Sequence, residues 1–186
     1  LSSATLVSKY PSGEEFDKRE KHIRRIKDSV NHMNELLEDF LSLGKLEEGK
    51  VGVTVTVFSV KDFVEDVVDE MKAHLKSGQE IVLDCIGDGN FKTDKRMLKN
   101  IMLNLIANAI KVAGEGKKVW LCTNTVNSVL NISVRDQGHG IPEEDQPHLF
   151  STLFRAKNVS NMQGTGLGLP IGKRYVNLLG GDIHLN

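Results

Sequence analysis

The chain has 186 residues, of which 39% are hydrophobic and 26% are charged, the composition of a globular protein with one or two domains. Its 24 Lys and Arg residues against 25 Asp and Glu residues leave no positive excess to attract nucleic acid, so no nucleic-acid partner is expected. No stretch reaches the roughly 18 apolar residues of a membrane-spanning helix, and Cys85 and Cys122 lack zinc-type spacing. We expect both cysteines to be reduced and buried.

The first segment has the apolar spacing of a helix that pairs with other helices. The residues on this 3-4-3-4-3 spacing are Ile23, Ile26, Val30, Met33, Leu37 and Phe40. A capping box at Ser12 to Glu15 predicts where the helix begins, Gly44 or Gly49 predicts its end, and residues 1–10 predict the last turns of a preceding helix. Residues 1–46 therefore predict part of a helical hairpin that forms a four-helix bundle in a homodimer. A single amphipathic helix packed on its own domain is the alternative.

From residue 47 onward the pattern alternates between strands and helices. Strands are predicted at 53–58, 80–86, 118–124 and 129–135, and helices at 60–76, from the cap Asp94 to 112, and at 167–179 before Gly180 and Gly181. The loop from 137 to 163, with one short helix near 143–150, is long enough to be a lid. The segment predicts an α+β fold, a two-layer α/β sandwich whose mixed sheet is covered on one face.

Three motifs carry the functional signal. "GTGLGL" (Gly164 to Leu169) has GxGxG spacing after a polar loop, which fits neither the Rossmann nor the P-loop pattern and by itself could be a flexible hinge. "DQGHGIP" (Asp136 to Pro142) places an acid at a strand end before two glycines. "NLIANAIK" places Asn104, Asn108 and Lys111 on one helix face, where packing amides are the alternative. The order and context of the three motifs make them specific in combination.

These motifs resemble the kinase core of two-component sensor histidine kinases. "NLIANAIK" is similar to the family's N box, "DQGHGIP" to its first glycine box, "HLFSTLFR" (His148 to Arg155) to its phenylalanine-containing box and "GTGLGL" to its second glycine box. Residues 19–51 are similar to the second helix of the dimerisation and phosphotransfer domain and its exit linker. The resemblance implies a catalytic ATP-binding domain at 47–186 and a partial dimerisation domain at 1–46.

The resemblance also implies ligands and roles. Asp136 would accept a hydrogen bond from the adenine amine, Asn108 would bind Mg²⁺, and Lys111 and Arg155 would neutralise phosphate charge. The glycines of "GTGLGL" would turn backbone N–H groups toward the phosphates at a helix N-terminus. The implied ATP-binding residues are Asn104, Asn108, Lys111, Asp136, Gly138, Gly140, Arg155, Gly164, Thr165, Gly166, Leu167 and Gly168.

Position 104 favours a kinase over an ATPase. Hydrolytic relatives such as gyrases, Hsp90 chaperones and MutL have a Glu four residues before the metal-binding Asn, and an amide cannot replace that general base. The implied activity is transfer of the ATP γ-phosphate to a His and then to an Asp in the receiver domain of a response regulator. A non-catalytic nucleotide-binding signalling module is the main alternative, and an ATPase switch is the weaker one.

Two departures qualify the match. None of the six histidines has the neighbourhood of the family's phosphoacceptor, which is expected upstream of Leu1, so the fragment is not expected to autophosphorylate alone. His22 and His32 are expected to be solvated helix residues. Val112 and Ala113 stand where the family commonly has an aromatic and a small hydroxyl residue. A cytoplasmic location, with membrane attachment through missing N-terminal regions, is the corresponding expectation.

Overall fold

The computed structural model describes residues 4, 5, 7, 16–86, 89–159 and 164–185, and the chain divides into two compact units, 1–44 and 45–186. The prediction that two domains meet between residues 46 and 47 stays a prediction. In the part of the chain that is described, no helix is long and apolar enough to cross a membrane.

A long helix, α1 (Phe16–Glu47), dominates the first segment and ends in a glycine cap. Gly49 has φ +64°, its N–H donates to the Leu46 carbonyl at 3.2 Å, and the Lys50 N–H donates to the Lys45 carbonyl at 3.1 Å. These two bonds form a Schellman cap, so the helix continues through Gly44 and Gly49 ends it.

The predicted start of α1 cannot be compared, because the capping box at 12–15 lies outside the described residues. Ala4, Thr5 and Val7 are helical, and the rest of the predicted preceding helix also lies outside them. Along α1 itself, four residues of the predicted apolar spacing are more than half exposed in the single chain, namely Val30, Met33, Leu37 and Phe40.

Five strands form two sheets in the described part of the second unit. They are β1 (Thr56–Ser59), β2 (Glu80–Ile86), β3 (Asn90–Thr93), β4 (Lys118–Val126) and β5 (Val129–Asp136). The larger sheet has the order β2-β4-β5, with β2 parallel to β4 and β4 antiparallel to β5, while β1 pairs antiparallel with β3. The predicted mixed sheet is therefore confirmed.

Three helices complete the predicted α+β sandwich, of which the first two pack against strands and the third packs against the second. They are α2 (Val60–Lys72), α3 (Lys95–Val112) and α4 (Gly168–Leu178). Their core includes Phe63 and Val67 of α2, Met102 and Ile106 of α3, and Leu121 of β4, all nearly inaccessible to solvent. Burial of these side chains supplies most of the stabilisation that holds α3 against the sheet.

The structure differs from the sequence prediction at the first strand pair. Regular pairing begins at Thr56 and not at Val53, because the Thr54 N–H donates to the Asp94 carboxylate at 2.7 Å and not to a neighbouring strand. The four-residue β3 is missing from the prediction, since so short a strand carries almost no periodic signal. Cys122 is a free thiol but is only partly buried, so the expectation of burial is wrong for it, and the Cys85 side chain lies outside the described structure.

Asp94 joins three segments at the start of α3. Its Oδ1 atom accepts the N–H groups of Arg96 and Met97 at 3.0 Å each, while Oδ2 accepts the Thr54 N–H. Burial alone raises the pKa of this carboxyl, but the hydrogen bonds from Thr54, Met97 and Arg96 and the Arg96 guanidinium outweigh burial, so the pKa lies below its ordinary value of 3.8. Asp94 is thus a helix cap that also fixes the chain before β1.

We expect Asp94→Asn to lower the free energy of unfolding at pH 7 by about 1–3 kcal/mol, because one of the two acceptor oxygens is lost and a buried N–H is left unpaired. A carboxylate with a lowered pKa stabilises the fold above its unfolded pKa, and that contribution disappears as the pH falls through the folded pKa. The difference between wild type and variant should therefore narrow below about pH 4.

Urea denaturation followed by the fluorescence of Trp120, the single tryptophan, measures this difference. The matched control is Asp69→Asn, whose exposed carboxylate pairs with Lys72 on the surface and should change stability by less than about 0.5 kcal/mol. A difference between wild type and Asp94→Asn that stays constant into acid would contradict the assignment.

Candidate functional site

The polar face of α3 lies beside the glycine segment that leads into α4. Asn104, Asn108 and Lys111 are all half-buried, while the opposite face of the helix supplies core residues. Asn104 donates from Nδ2 to the Gly168 carbonyl at 3.4 Å. The structure therefore brings two of the sequence motifs, separated by about sixty residues, into direct contact.

At each of the three glycines of this segment, neighbouring groups lie close to where a side chain would be. A Cβ on Gly164 would collide with the Lys111 ammonium, and one on Gly168 would lie 3.2 Å from Asn104 Oδ1. Gly166 has φ +70°, and a Cβ there would lie 3.1 Å from the Phe154 carbonyl. The segment is thus closely packed between α3 and the preceding loop, which argues against a flexible hinge.

The start of α4 presents backbone donors. Within the described residues no side chain caps this end, where Leu167 holds the N-cap position, and Pro170 in the first turn has no N–H to satisfy. Thr165 accepts the Leu167 N–H through Oγ1 at 3.1 Å, which fixes the turn before the helix. An eleven-residue helix with uncapped N–H groups is a favourable position for an anion.

Asp136 ends β5 and is held by the first of the two following glycines. Its Oδ1 atom accepts the Gly138 N–H at 2.7 Å, and within the described structure Oδ2 accepts no hydrogen bond. A Cβ on Gly138 would lie 2.7 Å from Asp136 Oδ1 and 2.9 Å from the Val112 carbonyl. Gly138 is therefore the residue that lets the chain pass between Asp136 and the end of α3.

The loop after Asp136 is ordered by its own hydrogen bonds up to residue 159. Gly140 has φ +67°, and its carbonyl accepts from Asn158 Nδ2 at 2.9 Å. Buried Asp145 accepts the Lys157 N–H at 3.0 Å, and the hydrogen bond and charge of Glu144 raise the pKa of Lys157. Two short 3-10 helices, Gln146–His148 and Lys157–Val159, replace the single predicted helix near 143–150.

The phenylalanine-containing segment attaches this loop to the glycine segment. The Leu153 N–H donates to the Gly166 carbonyl at 3.2 Å, and the Arg155 Cγ lies 3.3 Å from where a Cβ on Gly166 would be. Lys173 of α4 lies 4.9 Å from the centre of the Phe150 ring, a cation–π contact. Arg155 is exposed and so can reach a ligand above the glycines.

The predicted residues therefore gather around the last two turns of α3, with Asn104 and Lys111 beside the glycine segment. Asn108 lies between them on the same helix, and its side chain makes no hydrogen bond to the described residues. Sequence reasoning missed the Val112 carbonyl and the Leu153 N–H, because backbone groups leave no residue-type signal. Uncapped donors, a carboxylate and glycines without room for side chains together fit a planar base with a phosphate chain.

The profile of the family "Histidine kinase-, DNA gyrase B-, and HSP90-like ATPase" matches residues 93–186, which is half of the chain, and the chain belongs to this family. It shares 30% identity with the circadian input-output histidine kinase CikA of Synechococcus elongatus over 98% of this chain and 25% of that protein. It shares 35% identity with the signal transduction histidine-protein kinase BarA of Escherichia coli over 87% of this chain and 19% of that protein.

A solved structure shares the fold of this chain. The crystal structure of histidine kinase ThkA in complex with response regulator protein TrrA superposes with a TM-score of 0.72 at 21% identity, covering 96% of this chain and 49% of ThkA. The chain thus contains the histidine kinase-like ATPase domain of this family, and the resemblance to sensor histidine kinase cores stated from the sequence is confirmed. It spans about a quarter or less of the length of CikA and BarA.

Proposed function

We propose that this core binds Mg-ATP between α3 and the glycine segment, and that the whole protein transfers the γ-phosphate to a His that lies outside these residues. The junction of Asn104 with Gly168 and of Lys111 with Gly164 carries the proposal, because it places a cation beside uncapped helix donors. Family membership supports ATP as the nucleotide.

The adenine would lie against Asp136, Gly138 and Gly140. With Oδ1 already occupied by the Gly138 N–H, the Oδ2 atom of Asp136 is available to accept from the exocyclic amine of adenine. Guanine has a carbonyl at the equivalent position, which a carboxylate repels. The backbone bend at Gly138 brings the chain close enough to the base to exclude water.

The phosphates would lie over the start of α4. Backbone N–H groups from Gly164 to Gly168, including those of Thr165 and Gly166, would face the anion, while Lys111 and Arg155 would add positive charge. Lys111 sits directly beside Gly164, which supports this role. Arg155 lies next to Gly166 through its aliphatic stem and extends outward.

Asn108 is the proposed Mg²⁺ ligand. It is one helical turn from both Asn104 and Lys111, and an amide oxygen is a ligand type that Mg²⁺ accepts in addition to water and phosphate oxygens. When bound, Mg²⁺ would neutralise charge on the phosphates. Its side chain is half-buried on the same helix face as Asn104 and Lys111, which supports this role.

Transfer to a protein nucleophile is favoured over hydrolysis. Asn104 stands where the hydrolytic relatives have a general base, and its amide donates to the Gly168 carbonyl. An amide has no proton-accepting role at neutral pH. This observation disfavours the ATPase switch.

The proposed partners follow from α1 and from ThkA. The exposed apolar stripe of Val30, Met33, Leu37 and Phe40 would pair with a second copy in a helical bundle, giving a homodimer. ThkA is described in complex with a response regulator, and we propose a receiver domain as the phosphate acceptor here. We place the reaction in the cytoplasm, with membrane attachment as a property of regions outside this chain.

Asp136→Asn should weaken ATP binding about tenfold to a hundredfold, the equivalent of losing one buried hydrogen bond and gaining a repulsion. The Gly138 N–H keeps the single amide oxygen, so the variant amide turns its NH₂ group toward the base, where it opposes the adenine amine and matches guanine. Calorimetric titration with ATP and GTP measures the change. The control Asp84→Asn alters an exposed carboxylate in β2 and should bind like wild type. Unchanged ATP preference in Asp136→Asn would refute the adenine contact.

Asn108→Ala should abolish the strengthening of ATP binding by Mg²⁺ while leaving the metal-free ATP affinity unchanged, because only the metal ligand is removed. Titrations with ATP in Mg²⁺ and in EDTA separate the two affinities. Asn100→Ala removes an exposed amide from the same helix and should keep the full Mg²⁺ effect. If Asn108→Ala binds Mg-ATP like wild type, the metal ligand lies elsewhere.

A separately supplied helical bundle with the family's phosphoacceptor His distinguishes the kinase from a non-catalytic binding module. We expect the chain and ATP labelled in the γ-phosphate to produce acid-labile phosphohistidine on the bundle, and none when that His is changed to Gln. A chain that binds ATP but labels neither bundle would be the binding module.

A further inference from the structure

The C-terminal end of α3 is closed differently from the ends of α1 and α4. Those helices end at Gly49 and Gly180, each with positive φ, whereas α3 ends at Ala113 with φ −72° and ψ 85°. No left-handed residue follows immediately, so the last carbonyls of α3 need hydrogen-bond donors from another part of the chain.

Gln79, which directly precedes β2, supplies these partners. Its Nε2 atom donates to the carbonyls of Ile110, Ala113 and Gly114 at 2.9, 3.1 and 2.9 Å. The side chain is buried, with 8% of its surface exposed. An amide has only two N–H bonds, so one of them is shared between two carbonyls.

Lys76 completes the arrangement. Its backbone N–H donates to Gln79 Oε1 at 2.8 Å, which orients the amide, and its Nζ donates to the Lys111 carbonyl at 2.6 Å. The two side chains therefore bind four carbonyls at the end of α3. Each of these bonds joins residues more than thirty positions apart in the chain.

The loop that carries Gln79 is itself fixed against the loop after α3. Gly78 and Gly116 both have positive φ, and a Cβ on Gly78 would lie 3.3 Å from Gly116 Cα. The Gly116 N–H donates to the Ser77 carbonyl at 2.9 Å. This close backbone contact makes the Gln79 loop a rigid support.

The last turn of α3 is also where the candidate site depends on backbone position. Lys111 meets Gly164 on the phosphate side, and the Val112 carbonyl meets Gly138 on the adenine side. We propose that Gln79, assisted by Lys76, is a positioning residue for the nucleotide, an inference that rests on the proposed function. It holds the turn that aligns Lys111 and Asp136 without touching the ligand.

The test is ATP affinity in Gln79→Met, which keeps the length of the side chain and removes its hydrogen bonds. We expect ATP binding to weaken about tenfold, within the range of mutations that couple to a site through an intervening element. Val67→Ala on α2 also destabilises the shared core but removes none of the hydrogen bonds at the end of α3. It should bind ATP within about twofold of wild type, measured where urea curves show each protein folded.

Lys76→Met is the second variant and perturbs the fold less, because this lysine side chain bonds at the surface. We expect ATP binding about threefold weaker, as for the loss of one charge-assisted hydrogen bond that is partly solvated. Its control is Lys72→Met, whose ammonium pairs with Asp69 on α2 and does not reach α3. If Gln79→Met fails to fold, the comparison of Lys76→Met with Lys72→Met decides the question, and equal affinities would overturn the proposal.

Amide NMR spectra separate this inference from the proposed function. In Gln79→Met the signals of Gly138 and Gly164 should shift, and in Val67→Ala they should remain at their wild-type positions. If wild-type protein fails to bind ATP, the proposed function fails, and the Gly138 and Gly164 signals still test the positioning role. A folded Gln79→Met with wild-type ATP affinity, or with both glycine signals unmoved, would overturn it.

Discussion

The two ends of α3 are closed by the buried side chains of Asp94 and Gln79, which bind backbone groups that the helix leaves unpaired. At its start, Asp94 caps two N–H groups and binds the Thr54 N–H, and at its end Gln79 and Lys76 bind four carbonyls. Leaving such groups unpaired costs about 1–3 kcal/mol each. The apolar face of α3 fixes the rotation of the helix on the sheet. The contacts at its two ends fix its position along the helix axis. The polar face of α3 consequently has one defined position.

The glycines of the site are a consequence of that position. Gly164 and Gly168 leave room for Lys111 and Asn104 of α3, and Gly138 leaves room for the Val112 carbonyl. Each close approach has a different partner on the same helix, so the glycines serve packing against α3 more than freedom of the backbone. Both glycine boxes therefore pack against the same surface of α3. A ligand between them would contact this rigid helix surface on one side.

Local signals account for the parts of the fold that the sequence predicts well. Asp94 before an apolar run predicts α3. The strands predicted at 118–124 and 129–135 form the β4–β5 hairpin, whose turn at Asn127 and Ser128 has φ of +51° and +64°. The extended start of β1 was predicted wrongly because Thr54 bonds to a carboxylate forty residues away. For the same reason no pattern identifies Gln79, since its partners are over thirty residues downstream and the amide could equally lie on the surface. The site motifs were recognisable because each keeps its residue types within a short segment.

Asn104 shows how one side chain can serve both structure and chemistry. Its Nδ2 atom donates to the Gly168 carbonyl and so ties α3 to the beginning of α4. A carboxylate at the same position could not donate a hydrogen bond. It would also repel the Gly168 carbonyl and so push the glycine segment away from α3. The Asn104 amide therefore holds the glycine segment against α3. The same amide provides no general base that could activate water. Under the proposed function, this arrangement disfavours hydrolysis of ATP without an additional residue and leaves the phosphate for a nucleophile supplied by the protein.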